Sequence, residues 1–137
     1  MTSWARMHVA GQMVKAMLKR GMAVSGGRIL VLGLAFKENC PDLRNTRVVD
    51  VVGELSDYGV QVDVHDPWVD ADEARVEYGL DLVQAAETGA YDGVLLAVAH
   101  DSYREAGCAG VRQYGRPDHV FCDLKSVFAR DESDLRL

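Results

Sequence analysis

Apolar residues return at spacings of three and four positions over residues 4–20, which is the period of one face of a helix. The residues on that face are Met7, Ala10, Val14, Met17 and Leu18. Gly21 stands where such a helix would end. We therefore predict an N-terminal helix, which either packs on the rest of the domain or is the end of a connector from an upstream region.

Four short segments, three mainly apolar and the second alternating between apolar and polar residues, are typical of strands in a parallel sheet. They cover residues 29–33, 60–65, 93–99 and 119–124. Between these segments the pattern predicts helices over residues 46–58, 70–78, 84–88 and 102–106. Asn45 is a suitable N-cap for the first of these helices, and Gly59 and Gly79 are suitable stops. The polar residues from 129 onward predict a frayed end.

This alternation of strands and helices predicts an α/β fold, a Rossmann-like three-layer arrangement with a parallel sheet and an N-terminal helix. Ligands in such folds bind beyond the carboxyl ends of the strands, where the strand order reverses. The segments that would lie there are residues 33–45, 66–68, 99–103 and 123–127.

Composition narrows the class of partner. The 137 residues, of which 48% are hydrophobic and 26% charged, fit one globular domain. A net charge of -6 with scattered acids argues against nucleic acid, which needs a basic face. No apolar run approaches the ~20 residues of a membrane span, and the first residues lack the pattern of a secretory signal. We expect a cytoplasmic protein that binds neither nucleic acid nor a membrane.

The three cysteines have no paired spacing, so we expect reduced thiols rather than a disulfide framework. The four histidines lie far apart along the chain and show no metal-ligand spacing. We therefore assign no metal site.

The loop after the first predicted strand carries the candidate chemistry. It contains one glycine, Gly33, and not the GxGxxG fingerprint that lets backbone approach a pyrophosphate. Bulky Phe36 and charged Lys37 stand where the later glycines would be. Lys37 and Arg44 near a helix N-terminus suit phosphate or carboxylate groups. The sequence therefore predicts an anion site and argues against an ordinary NAD-binding domain.

This loop, GLAFKENCPDLRNT (residues 33–46), resembles the one that opens the C-terminal domain of the UDP-glucose/GDP-mannose dehydrogenase family. Within the family it is most similar to the UDP-N-acetylhexosamine 6-dehydrogenases of bacterial surface-polysaccharide synthesis. The similarity continues through YGVQVDVHDPW (58–68), AVAHD (97–101) and DLK (123–125), so it covers residues 28 to about 128. The long Phe-Lys…Asp-x-Arg string is the specific part.

The resemblance implies an enzyme with two Rossmann domains, in which an N-terminal domain binds NAD and a central helical region forms a homodimer. The C-terminal domain would bind the UDP-sugar. The implied reaction is a double oxidation of the sugar C6 alcohol to a carboxylate, with two NAD and a cysteine-bound thiohemiacetal and thioester. Residues 1–24 would then be the connector helix from the central region, and residues 25–137 the nucleotide-sugar-binding domain.

Residue roles implied by the resemblance follow the matching positions. Phe36 and Lys37 match a Phe-Lys pair that contacts the nucleotide sugar, and we expect the Lys37 ammonium at a sugar or phosphate oxygen. Lys125 matches an Arg or Lys placed against the substrate after the fourth strand. Arg44 matches an arginine that reaches the phosphates of NAD on the other domain.

Plainer interpretations stand beside these roles. Lys37 would otherwise be a solvated surface charge, and Arg44 a salt-bridge partner of Asp42 or Asp50. Lys125 rests on the shortest of the matching strings.

Other residues near the predicted site receive no catalytic role. Cys40 lies in the loop of residues 33–46, which we call the ligand loop. The family's nucleophile, however, belongs to a glycine-rich segment that this sequence does not contain. Cys122 is expected to be a small buried hydrophobe on the fourth strand. Trp68 suits a packing lid as well as a ligand platform, and His100 has no assigned role.

The sequence lacks the parts that the family's chemistry requires: a GxGxxG motif, the cysteine segment, and the upstream catalytic lysine and aspartate. We therefore predict no catalytic residue and no activity for this chain alone. We expect a piece cut from a longer protein or a truncated gene product. The alternative is a stand-alone binding or regulatory module that assembles through its first helix, whose apolar face would be exposed without an upstream region.

Overall fold

The computed structural model describes residues 3–136 of the chain, with side chains from residue 9 onward. Its helices are α1 (Ser3–Lys19), α2 (Val48–Asp57), α3 (Ala71–Tyr78) and α4 (Asp101–Arg112). Its strands are β1 (Arg28–Leu32), β2 (Gln61–His65), β3 (Tyr91–Leu96) and β4 (Gly115–Asp123). A short 3-10 helix, Arg130–Glu132, follows β4.

All four strands pair in parallel, in the order β2-β1-β3-β4. The chain leaves β1 toward one side to form β2 and later crosses to the other side to form β3. The strand order therefore reverses between β1 and β3, and this is where an open parallel sheet opens a crevice beyond its carboxyl ends.

Helices cover both faces of the sheet and produce the three predicted layers. On one face, α1 and α2 pack against Ile29 and Val31 of β1. On the other face, α4 packs against Leu30 and Leu32 of the same strand. Burial on both sides explains why β1 is a continuous apolar run after Arg28. The predicted Rossmann-like α/β fold with its parallel sheet and N-terminal helix is confirmed.

Helix α1 belongs to the core. Its buried side chains are Val9, Ala10, Met13, Val14 and Met17. Gly93 on β3 permits the close approach, because a Cβ atom there would lie 3.0 Å from the Met13 Cε. The expectation that the apolar face of α1 would be exposed is therefore wrong for these residues, since the sheet and α2 cover them. Leu18 is 58% exposed, and the prediction for Met7 lies outside the described side chains.

Two helix predictions are corrected. Residues 84–88 form bends and the start of a turn instead of a helix. This segment lies along the sheet, where Leu82 bridges Val64 and Ala86 packs on the second core cluster, so tertiary contacts override its local preference. Helix α4 extends to Arg112, well beyond residue 106, with a kink at Gly107.

The predicted fraying after residue 129 is wrong for residues 129–136. The Asp134 carboxylate accepts hydrogen bonds from the guanidinium groups of Arg20 and Arg112 at 2.9 and 2.8 Å, and from the Phe121 N–H at 2.8 Å. Leu135 forms a parallel bridge to β4. Asp134 and Leu135 therefore tie this largely exposed segment to β4, and it is not frayed. No helix in the described part of the chain is long and apolar enough to cross a membrane.

Candidate functional site

An open cavity of 380 Å³ lies at the carboxyl edge of the sheet, beside the point where the strand order reverses. Its walls come from the loop after β1, the beginning of α2, the end of β3 and the loop after β4. Phe36, Lys37 and Lys125 all line it. The adjacent Phe36 and Lys37 and the distant Lys125, all predicted as substrate-binding, thus meet around one cavity.

The loop between β1 and α2 is ordered by hydrogen bonds in spite of its irregular backbone. The Thr46 hydroxyl donates to the Leu34 carbonyl at 2.6 Å, and the Tyr78 hydroxyl donates to the Leu43 carbonyl at 2.6 Å. The Phe36 N–H donates to the Asp42 carbonyl at 2.8 Å and closes the turn that displays Lys37. The loop therefore has a defined conformation, in which Lys37 is exposed.

The beginning of α2 differs from the prediction. The helix starts at Val48, so its N-cap residue is Arg47 and not Asn45, which lies two residues earlier in the left-handed region with φ 61. The hydroxyl of Thr46 instead accepts the Val48 N–H at 3.3 Å. The end of the helix is as predicted, with Gly59 in the left-handed conformation.

Cations dominate the rim of the cavity. Lys37 and Lys125 are exposed, and Arg47, which the sequence reasoning did not assign, lines the same wall at the start of α2. Glu38 is the carboxylate on the lining. The signal for Arg47 was its place directly after Thr46, at a helix N-terminus that faces the ligand loop. Cations beside a helix N-terminus favour an anionic ligand.

Phe36 adds an apolar surface to this rim. Phe36 is 54% exposed although the preceding residue, Ala35, is buried. Val48, Val51 and Leu95 form apolar lining near it. A pocket with apolar walls and a few polar groups is typical of small-molecule sites.

Arg44 lies apart from the residues that line the cavity. Its Nε and one terminal nitrogen donate to the two carboxylate oxygens of Asp42 at 3.1 and 3.2 Å, and its side chain is 86% exposed. Hydrogen bonds from Arg44 hold the pKa of Asp42 below its ordinary value. Of the two salt-bridge partners considered for Arg44, this contact is to Asp42, and it holds the guanidinium toward solvent.

A buried Asp66–His100 pair lies beneath the loop and was missed by the sequence reasoning. Asp66 follows β2 and His100 follows β3, so the two flank the end of β1. The His100 Nε2 lies 2.9 Å from Asp66 Oδ2, and both side chains are fully buried. The Trp68 indole stacks on the His100 ring, with centroids 6.3 Å apart. The signal was an Asp and a His placed after strands on either side of β1.

A second histidine contact sits beside this pair. The Tyr103 hydroxyl donates to the His65 carbonyl at 3.0 Å, and the His65 Nδ1 lies 2.7 Å from the same hydroxyl. Burial lowers the pKa of His65, and His100 adds to this effect while Asp66 opposes it. Burial raises the pKa of Tyr103 far above its ordinary value, so its hydroxyl remains a donor.

The DLK string also has a structural basis. Asp123 is fully buried and accepts the N–H groups of Val127 and Phe128 at 3.0 and 2.9 Å. Ser126 adopts the left-handed conformation with φ 54. This turn leaves Lys125 exposed at the cavity. The aspartate therefore shapes the loop that presents the lysine.

The three cysteines, Cys40, Cys108 and Cys122, are free thiols. Burial raises the pKa of Cys122 to about 12, as expected of a small buried hydrophobe. Burial also raises the pKa of Cys108, and Cys40 is half-buried without a disulfide partner. Within residues 3–136, no cluster of three or more His, Cys, Asp or Glu side chains is placed to hold a metal ion.

An open parallel sheet with helices on both faces and a cation-rimmed cavity at its reversal point defines a Rossmann-like domain. Residues 30–130 match the UDP-binding domain of the UDP-glucose/GDP-mannose dehydrogenase family. The chain belongs to this family.

Relatives of known name agree with this assignment. The chain is 55% identical over 130 residues to a UDP-N-acetyl-D-glucosamine 6-dehydrogenase of Pseudomonas aeruginosa. The aligned region covers 95% of this chain and 31% of that protein. It is 47% identical over 130 residues to the Salmonella typhi protein of the same name, with the same coverage. A UDP-glucose dehydrogenase structure from Pyrobaculum islandicum has a TM-score of 0.67 at 29% identity, and covers 94% of this chain and 29% of that one. The chain thus spans about a third of the length of these relatives.

Proposed function

We propose that this chain is the nucleotide-sugar-binding domain of an NAD-dependent UDP-sugar 6-dehydrogenase, and that the cavity at the sheet's carboxyl edge holds the UDP part of the substrate. The observation that carries the proposal is the meeting of Phe36, Lys37 and Lys125 around one 380 Å³ cavity. The named relatives support the class of sugar, since they are UDP-N-acetyl-D-glucosamine 6-dehydrogenases.

Charge supports a diphosphate in this place. The chain as a whole carries -6, so it repels a polyanion at long range. Around the cavity, however, Lys37, Arg47 and Lys125 offer three cations against Glu38. A diphosphate pairs with such groups through charge-assisted hydrogen bonds. The exposed Phe36 ring is the surface that we assign to the uracil or sugar.

The NAD that the family uses does not fit this domain as its principal site. An ordinary dinucleotide fold needs glycines after β1 and a free acid after β2 to bind the ribose. Here Phe36 and Lys37 follow β1, and the acid after β2, Asp66, is fully buried and bonded to His100. We propose that NAD, which accepts hydride in the reaction, is bound by a separate upstream domain. This chain would contribute only Arg44, whose exposed guanidinium Asp42 already orients.

The whole enzyme would oxidise the C6 alcohol of the sugar to a carboxylate for polysaccharide precursors. Its nucleophile and acid–base residues would lie outside this chain, so the chain alone would bind without turnover. Residues 1–24 would lead in from a central region through which the protein forms homodimers. Because α1 is also packed into this domain's core, that connection would be stiff.

Calorimetric titration of the chain with UDP, UDP-N-acetylglucosamine and NAD tests this proposal. Binding of both UDP compounds without NAD is the expected result. Tight binding of NAD alone would overturn the assignment and make this the cofactor domain. Binding of UDP-N-acetylglucosamine with the same affinity as UDP would place the sugar outside the cavity of this chain. A chain that regulates or assembles by itself, the alternative function, would show ligand-dependent self-association in sedimentation.

A further inference from the structure

The three residues 36–38, which form one wall of the cavity, are held from below at both of their ends. On the leading side, the N–H groups of Leu34 and Ala35 donate to Asp66 Oδ2 at 2.7 and 2.9 Å. On the trailing side, the Asn39 N–H donates to His100 Nδ1 at 2.9 Å. Both anchors therefore lead to the same buried pair.

The hydrogen-bond partners fix the state of the histidine ring. A backbone N–H can only donate, so the Nδ1 that faces Asn39 carries no proton. The ring proton is then on Nε2, which donates to Asp66 Oδ2 at 2.9 Å. The His100 ring thus bridges the Asp66 carboxylate, which accepts from Nε2, and the loop backbone, which donates to Nδ1.

Both oxygens of the Asp66 carboxylate also have hydrogen-bond donors as partners. Its second oxygen, Oδ1, accepts the N–H groups of Trp68 and Val69 at 2.8 and 3.3 Å. Burial alone would raise the pKa of Asp66, but its hydrogen bonds from His100 and the backbone outweigh that effect and lower the pKa. Asp66 is therefore an anion whose acceptor sites are directed at the backbone of two neighbouring loops.

A buried carboxylate and imidazole are a costly way to fill space, because apolar residues of similar volume often stabilise a core more. The pair instead fixes the position of the loop backbone. It fixes the backbone at positions 34, 35 and 39, and so leaves the intervening segment one path along the cavity wall. Asn39 is tied further by its side-chain oxygen, which accepts the Asp101 N–H at 3.0 Å.

We propose that Asp66 and His100 are positioning residues for ligand binding, which place Phe36 and Lys37 through the backbone that they hold. This inference rests on the proposed function, since it names what sets the geometry of the UDP site. Neither residue touches the ligand in this account.

Two substitutions at one position separate placement from stability. His100→Asn retains an oxygen where Nδ1 stood and so retains an acceptor for Asn39, but it loses the donor to Asp66. His100→Gln reaches Asp66 with its amide and leaves the Asn39 N–H without an acceptor. Both lower the melting temperature, and we expect only His100→Gln to weaken UDP binding strongly, by about tenfold, which corresponds to 1.4 kcal/mol.

The matched control is Asp134→Asn, which removes a carboxylate bonded to Arg20, Arg112 and the Phe121 N–H. None of these residues lines the cavity. It should lower the melting temperature with less than about twofold change in UDP affinity, measured well below the transition. If His100→Gln behaves like this control, the pair is only structural and the proposal is overturned.

Amide hydrogen exchange in the unaltered chain gives a second, independent test. The Asn39 N–H lies in a loop, yet it should exchange as slowly as amides of β1 in the absence of ligand. Rapid exchange at Asn39 would overturn the proposal even if every variant failed to fold. If the unaltered chain does not bind UDP but its Asn39 N–H exchanges slowly, only the proposed function is contradicted. If the chain binds UDP but the Asn39 N–H exchanges rapidly, only the positioning role is contradicted.

Discussion

Gly33 lies so close to Val98 that a Cβ atom at position 33 would stand 2.5 Å from the Cβ of Val98 and 2.8 Å from its backbone nitrogen. Its φ of +100 is also in a region that side chains disfavour. The contact joins the turn after β1 to the turn after β3, on either side of the reversal point. It sets how closely the ligand loop approaches the rest of the cavity.

Gly33→Ala should therefore destabilise the chain by at least about 2 kcal/mol, from combined backbone strain and steric overlap. It should also weaken UDP binding at temperatures where the chain is folded, because the loop is displaced. Chemical unfolding and calorimetry measure the two effects. Gly11→Ala on α1 is the control, since nothing lies within 4 Å of a Cβ there, and it should be neutral or stabilise by about 0.5–1 kcal/mol. Equal stability of the two variants would refute the steric argument.

Loss of one rim cation should reduce ligand affinity without loss of fold. Lys37→Ala removes an exposed side chain, so we expect stability within about 0.5 kcal/mol of the original. UDP binding should weaken by about tenfold or more, as for a hydrogen bond to a charged group. In the full-length enzyme the same change should lower turnover. Lys15→Ala, an exposed lysine on α1, should alter neither quantity. A Lys37 variant with normal affinity and a melted fold would remove Lys37 from the site.

Arg44→Ala should act on a different ligand. Arg44 faces solvent outside the cavity lining, so its loss should leave UDP affinity of this chain unchanged within about twofold, the size of a minor long-range charge effect. In the full-length enzyme it should weaken NAD binding. Calorimetry with each ligand distinguishes these results, and an equal loss of UDP binding in both forms would move Arg44 to the substrate site.

The pattern of the sequence predicts the sheet, the layers and the ligand loop because those features repeat locally. Continuous burial of β1 shows as an apolar run, and Gly59 and Gly79 end their helices as their conformational freedom suggests. The distinctive loop string allowed Lys37 to be singled out, and Lys37 lines the cavity.

What the sequence does not predict depends on contacts between distant segments. Asp66 and His100 follow strands that flank β1 without pairing with each other, so their contact appears only once the strand order is known. Asp134 looked like part of a solvated tail because its partners, Arg20 just after α1 and Arg112 at the end of α4, come from segments on opposite faces of the sheet. Residues 84–88 have a helical pattern that the sheet overrides.

The packing of α1 predicts that it cannot be treated as a detachable connector. Met13 is fully buried against β3, so Met13→Ala should destabilise the chain by about 2–5 kcal/mol through the cavity that it leaves. Leu18→Ala on the same helix removes a side chain that is 58% exposed and should cost less than about 0.5 kcal/mol. Urea unfolding of both variants gives the comparison. Similar small effects would mean that α1 is only loosely attached to residues 25–136.

Acid should destabilise the chain in two separate steps of pH. The pKa of His65 is lowered by burial, so the unfolded chain takes up this proton more readily than the folded one. The contribution of His65 to the free energy of unfolding is full above about pH 6.5, the ordinary pKa of histidine. It is lost as the pH falls through the lower pKa of the folded state. The pKa of Asp66 is also lowered, so its contribution is full above about 3.9 and is lost on further acidification. Stability should therefore fall from pH 7.5 to pH 5 and again below pH 4.

His65→Asn isolates the first of these steps. The asparagine amide can stand where Nδ1–H meets the Tyr103 hydroxyl, but it does not titrate between these pH values. Urea unfolding at pH 7.5, 6, 5 and 4 should show a smaller loss of stability between pH 7.5 and 5 for this variant, with the loss below pH 4 retained. If the variant and the original chain lose the same stability over the upper range, another group, and not His65, is responsible for that part of the acid sensitivity.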